Sequence, residues 1–195
     1  MAAPALVALA HGSRDPRSAA TIRALVDEVR AVRPDLKVEP AFLELSRPGF
    51  QTVVDRLVKA GHDEIVVVPL LLTEAHHATV DVPAAIAEAT ERHPQVRIQA
   101  TDVLGLETCF LQVLDYASAA PPATGEAVRA FRAEGRRHIA VASLFLAPGF
   151  LPDRAAELAL EAGAVAVSAP LGAHPEVARV VLARYAVGAV ELVPV

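Results

Sequence analysis

Three polar side chains stand where apolar segments of this sequence stop, and together their types suit metal chemistry. His11 follows the run Leu6–Ala10, Glu44 breaks into Phe42-Leu43-Glu44-Leu45, and His77 lies beyond the run Ile65–Val68. Neutral imidazoles are ligands for Fe²⁺, Co²⁺, Ni²⁺ and Zn²⁺, and a carboxylate beside them accepts protons. Plainer roles fit each residue too. His11 could close a turn, His77 with its neighbour His76 could be solvated loop, and Glu44 could mark an exposed face. Gly12-Ser13-Arg14 ahead of a helix is a second candidate, since backbone N–H groups at a helix start attract anions. No G-x-G-x-x-G or Walker pattern accompanies it. His62, His93, His138 and His174 fall beside turns or helix ends and read as surface residues.

The elements that must position these groups alternate in kind. Leu6–Ala10, Ile65–Val68 and Ile139–Ala142 are apolar throughout, which predicts strands covered on both faces. Asp15-Pro16 predicts an N-cap and first residue for a helix carrying Ile22, Leu25, Val26, Val29 and Val32. Val38–Leu43 reads as the second strand. A stripe of Phe50, Val53, Val54, Leu57 and Val58 reads as a helix stopped by Gly61. Asp81-Val82-Pro83 opens another helix, and Val96–Ala100 is a fourth strand. This alternation is the signature of an α/β fold with a parallel sheet and right-handed crossovers. In such sheets ligands sit beyond the carboxyl ends of the strands. A strand order of 2-1-3 brings His11, Glu44 and His77 to one crevice, with neighbouring strands ~4.8 Å apart.

An internal repeat underlies the pattern. Shifted by 74 residues, Pro48 meets Pro122, Val54 meets Val128, Gly61 meets Gly135, and Ile65 meets Ile139. Val67, Leu70 and Leu72 likewise meet Val141, Leu144 and Leu146. At a shift of 67, Leu104-Gly105 meets Leu171-Gly172. The expected division is a lobe over 1–115 that carries the metal site and a partial repeat over 116–195 that carries none. Ser118 stands at the Glu44 position and Leu151 at the His77 position. The second copy has no counterpart of Ala3–Ala41, so its sheet is expected to lack a central strand. Open strand edges invite pairing, which makes a homodimer a possible assembly.

Composition limits the alternatives. The 195 residues include 53% hydrophobic and 21% charged types, which excludes a disordered chain. A net charge of −5 without a basic cluster argues against nucleic acid as a ligand. The first ten residues lack a positive n-region, and no apolar stretch reaches the ~20 residues of a membrane span. The single cysteine, Cys109, excludes an internal disulfide and a cysteine-built zinc or iron–sulfur site. A soluble cytoplasmic protein is the expectation.

Taken together, VALAHGSRDPRS at Val7–Ser18, FLELSRP at Phe42–Pro48 and VVVPLLLTEAHHATVDVP resemble the class II sirohydrochlorin chelatases. SLFLAPGFLPDR at Ser143–Arg154 and APLGAHP at Ala169–Pro175 resemble that family's C-terminal repeat. The resemblance implies two flavodoxin-like lobes, the second incomplete. It implies insertion of cobalt, iron or nickel into a tetrapyrrole of the sirohydrochlorin type, a lyase reaction serving sirohaem or cobalamin synthesis. It makes His11 and His77 the metal-binding pair, with Asp81 as the family's aspartate four residues on, and Glu44 the proton acceptor. The macrocycle is expected between the lobes, its carboxylates met by Gly12, Ser13 and Arg14. The divalent metal is substrate, and no permanent cofactor is implied. Two other classes stay open: a non-catalytic metal or tetrapyrrole carrier, and a flavodoxin-like phosphate or nucleotide binder.

Overall fold

The computed structural model describes residues 3–72, 77–105 and 122–193, and of residues 77 and 78 the backbone alone. The chain divides into two compact units, Met1–Leu106 with Ala173–Val195, and Glu107–Gly172.

The first unit is built on a parallel sheet of β1 (Ala5–Ala10), β2 (Val38–Phe42), β3 (Glu64–Pro69) and β4 (Arg97–Ala100) in the order β2-β1-β3-β4. Val7 pairs with Glu39 on one side and Val67 on the other, and Val67 pairs in turn with Ala100. All six residues of β1 are buried, as an apolar run without alternation requires of a central strand. Ala5, Val7, Leu9, Ile65 and Val67 face α2 (Phe50–Lys59) and α3 (Val82–Arg92), joining Phe50, Val53, Val54, Leu57 and Ala89 in one core. Helices α1 (Pro16–Val32) and α6 (Pro175–Glu191) pack together, α1 against β2 and α6 against β3 and β4.

Local signals set the helix ends. The Asp15 carboxylate accepts from the Arg17 N–H at 2.9 Å, with Pro16 as first helical residue. Arg17 returns the contact through its guanidinium and holds the Asp15 carboxyl below its ordinary value. Gly61, at φ +90°, ends α2 by donating to the Val58 carbonyl at 2.9 Å. The start expected at Asp81-Val82-Pro83 is present, preceded by a five-residue π-helical turn over His77–Asp81 that the sequence reading did not include.

The second unit contains α4 (Thr124–Ala133), β5 (Ala140–Val141), α5 (Phe150–Glu161) and β6 (Ala166–Val167), with β5 and β6 parallel. Among the described residues, its core gathers Val128, Ala159, Ala162 and Ala164 beneath Ile139, Val141 and Val167. The repeat recurs here bond for bond. Gly135, at φ +89°, ends α4 by donating to the Arg132 carbonyl at 2.9 Å, as Gly61 does for α2. The bonds Thr101 N–H to Val67 O and Leu104 N–H to Leu71 O have counterparts in Ser168 N–H to Val141 O and Leu171 N–H to Phe145 O. Gly105 and Gly172 follow at φ +70° and +67°. Among the described residues, the second unit has no strand answering to β1 or β2.

One boundary differs from the sequence reading, which ran a lobe over 116–195. Helix α6 belongs to the first unit, because its packing face matches that sheet. Gly188 lies so close that a Cβ there would meet Thr101 Cγ2 at 2.7 Å and Val66 Cγ1 at 2.8 Å. The Tyr185 hydroxyl donates to the Pro4 carbonyl at 2.8 Å. Burial raises the Tyr185 pKa above its ordinary value. No described helix is long and apolar enough to cross a membrane.

Candidate functional site

His11 is the first residue past β1, and Glu44 the second past β2. The ladder between these strands continues beyond their ends: Leu43 N–H donates to Ala10 O and Glu44 N–H to His11 O, each at 3.0 Å. That continuation brings the two side chains together at the carboxyl edge, with His11 Nε2 3.1 Å from Glu44 Oε1. The imidazole is the more sheltered partner, at 27% side-chain exposure against 58%.

The backbone beneath them is tightly specified. Gly12 has φ +101°, and a Cβ on it would fall 1.8 Å from the Glu44 carbonyl oxygen. Only glycine allows this approach. Ser46 N–H donates back to Glu44 O at 2.6 Å, a tight turn centred on Leu45 at φ +59°. The Ser46 Oγ accepts from Ser13 N–H at 3.1 Å and donates to Ser13 O at 2.9 Å, so one hydroxyl ties the loops after β1 and β2 together. Phe42 N–H to Pro48 O at 3.0 Å closes the neck of the second loop.

These contacts redefine the Gly12-Ser13-Arg14 turn. The Ser13 N–H is taken by Ser46, and its hydroxyl accepts from Asp15 N–H at 3.1 Å. Gly12 serves close packing, and Arg14 is exposed. Ser46 and Leu45 escaped the sequence reading, and Ser46 in Leu45-Ser46-Arg47-Pro48 was the available signal. His77 begins the helical segment after β3. His76, Ser118 and Cys109 lie outside the described residues. Of the other histidines, His93 Nε2 contacts Asp55 at 2.7 Å, and His174 caps α6 by accepting from Glu176 N–H.

Chemically, the His11 ring lies between two acceptors, the Gly12 carbonyl 3.1 Å from Nδ1 and the Glu44 carboxylate at Nε2. A ring that donates through Nδ1 presents Nε2 as a lone pair, and a cation there is what the carboxylate favours. The Nε2 lone pair of His11 therefore suits a divalent ion, and the carboxylate 3.1 Å away can take up a proton. An open depression at the start of α2, lined by Arg47, Gln51 and Glu88 among others, includes neither His11 nor Glu44.

Comparison with known proteins bears on the fold and the family. The structure of SirB from Bacillus subtilis with Fe³⁺ superposes with a TM-score of 0.78, at 21% identity over 96% of both chains. A cobalt complex of SirB from Bacillus subtilis subspecies spizizenii gives 0.71 at 21% identity over 97% of both chains. These likenesses show the α/β fold. In sequence, a sirohydrochlorin cobaltochelatase from Priestia megaterium is 33% identical over 105 residues, 53% of this chain and 34% of that protein. A sirohydrochlorin ferrochelatase from Bacillus subtilis is 35% identical over 103 residues, 53% of this chain and 40% of that protein. The match thus spans between a third and two fifths of these relatives' length. The CbiX family model matches twice, over residues 5–120 and 107–187, in keeping with the internal repeat. On that match the chain belongs to the CbiX family.

Proposed function

We propose that this chain is a chelatase that inserts a divalent metal, Co²⁺, Fe²⁺ or Ni²⁺, into sirohydrochlorin or a related tetrapyrrole. The observation that carries the reading is the His11–Glu44 pair, 3.1 Å apart just past the ends of neighbouring parallel strands, with His77 opening the helical segment after the next strand. The names of the cobaltochelatase and ferrochelatase relatives support the same substrate class. His11 and His77 hold the metal on the first unit. As the metal passes to the pyrrole nitrogens two N–H protons leave, one taken up by the Glu44 carboxylate and the other by water. The metal is substrate, and no resident cofactor takes part. A phosphate or nucleotide binder would need the Ser13 N–H, which Ser46 already occupies. We assign the protein to the cytoplasm, with tetrapyrrole and metal as its partners and a homodimer as its assembly.

Absorption of metal-free sirohydrochlorin mixed with Co²⁺ or Fe²⁺, followed with and without protein, tests the reading. Insertion faster than the protein-free blank is expected, whereas a rate equal to the blank overturns it. Macrocycle binding without turnover identifies a carrier instead. His11→Ala, His77→Ala and the double variant are expected to lose similar activity, since ligands of one ion do not act additively. Glu44→Gln is expected to slow turnover more than it weakens metal binding.

A further inference from the structure

The loop between β2 and α2 holds its shape against a local preference. Leu45 sits in the left-handed region at φ +59°, which disfavours a side chain. It is 51% exposed, so burial of the leucine does not offset the strain. A residue persists in that region only where its surroundings over-determine it. Two contacts do so, from different elements. On one flank the Ser46 hydroxyl spans the Ser13 N–H and the Ser13 carbonyl, at 3.1 and 2.9 Å. On the other, Arg23 of α1 donates to the Arg47 carbonyl at 2.8 Å. Its guanidinium carbon lies 6.0 Å from the centre of the ring of Phe42, which is buried at the end of β2. Both tethers lead back to the segment that follows His11. Between Phe42 and Leu45 stands Glu44, whose own side chain is largely exposed, so its aim at His11 Nε2 depends on the backbone beneath it.

We propose that Ser46 and Arg23 are positioning residues for the Glu44 carboxylate, an inference that rests on the chelatase reading above. A proton acceptor must stand within hydrogen-bond reach of the proton it takes, and an exposed carboxylate on a free loop samples many directions. Ordering the loop in advance removes that search from the reaction step. Ser46 fastens the loop that carries Glu44 to the loop that His11 opens, so imidazole and carboxylate move together. Arg23 fastens the far side of the same loop to the helix that follows. Both act through backbone carbonyl and amide groups, and the strained turn at Leu45 is what they sustain.

The test is steady-state insertion of Co²⁺ into sirohydrochlorin by the full chain, with kcat and the macrocycle KM read separately, beside a Co²⁺ titration without macrocycle. Ser46→Ala is expected to lower kcat roughly tenfold and Arg23→Met roughly threefold, as a displaced reacting group implies. KM and Co²⁺ affinity are expected to stay within about twofold of wild type, and Ser46→Thr, which keeps the hydroxyl, to restore most of the rate. In a Glu44→Gln background each substitution is expected to cost less than about twofold more, because both act through that carboxylate. Arg33→Met, at the far end of α1, is the control and is expected to leave kcat and KM unchanged. Arg23 is exposed, so Arg23→Met runs the same cycle in a folded protein even where Ser46→Ala lowers the urea midpoint. A kcat loss of equal size in the Glu44→Gln background overturns the positioning role while leaving the chelatase reading intact. So does a raised macrocycle KM at wild-type kcat, which would make these side chains substrate contacts, and so does wild-type kcat in both variants. A wild-type chain that inserts no metal overturns both readings.

Discussion

Replacing Gly12 by alanine is the sharpest available probe of how the His11–Glu44 pair is held. The new Cβ would lie 1.8 Å from the Glu44 carbonyl oxygen and 3.0 Å from its carbon. Real Cβ atoms essentially never approach within 3.0 Å, so the Glu44 backbone must retreat by roughly 1 Å or more. Such a shift stretches the Glu44 N–H bond to His11 O and the Ser46 N–H bond to Glu44 O, now 3.0 and 2.6 Å. The backbone at φ +101° adds its own strain for any residue with a side chain. Two weakened hydrogen bonds at about 1 kcal/mol each and a left-handed penalty of about 1–2 kcal/mol give a loss near 3 kcal/mol. Urea unfolding measures that loss, and a Co²⁺ titration measures the displacement of the His11 ligand. Gly49→Ala is the matched control: Gly49 caps α2 at φ −71°, the nearest atom to its added Cβ is 3.9 Å away, and a change within about 0.5 kcal/mol is expected. A Gly12→Ala protein as stable as the Gly49→Ala control, with wild-type Co²⁺ affinity, would refute the account of Gly12 as the pivot of the site.

Two further outcomes follow from contacts away from the pair. Asp55 receives His93 Nε2 at 2.7 Å and Arg92 at 2.8 Å, joining α2 to the end of α3; the His93 bond first, then Arg92, lowers its pKa below the ordinary 3.8. A depressed carboxylate stabilises the fold above its unfolded value and loses that contribution as pH falls through the folded one. Asp55→Asn is therefore expected to be less stable than wild type at neutral pH and to converge with it in acid, and a gap that persists unchanged through acid unfolding titrations contradicts this. Gly188→Ala is expected to cost about 1–3 kcal/mol of stability by overpacking, more than its helical preference returns, because the stiff side chains of Val66 and Thr101 cannot yield; a raised urea midpoint contradicts it.

What the sequence made legible was whatever is encoded locally. The unbroken burial of Ala5–Ala10 follows from residues that are apolar at every position, and the start of α1 from Asp15-Pro16. Gly61 and Gly135 identified matching helix stops because a left-handed residue there is written as glycine. His11 and Glu44 were readable as a pair once the order β2-β1-β3 was assumed. The Leu45 turn was not, since a leucine at φ +59° breaks the usual preference and is sustained by its surroundings. Nor was the clamp by Ser46, whose hydroxyl reaches across 33 positions of sequence to Ser13. The allegiance of α6 was hidden for the same reason. Its own residues specify a helix, and only the face of a distant sheet specifies where it docks.

That docking has a consequence for how the chain is made. Synthesis runs from the amino terminus, so β1 to β4 leave the ribosome long before Pro175–Glu191 exists. Until then the sheet face that holds Val66 waits without its last helix, and Pro4 waits for the Tyr185 hydroxyl. The second unit, by contrast, consists of neighbours in sequence and can close on itself first. The nascent chain thus carries an exposed apolar face on its oldest part until α6 emerges. A hydrophobic-surface chaperone would find its client in that interval, and a chain stalled before α6 would be prone to aggregate through the first sheet, however sound its metal donors.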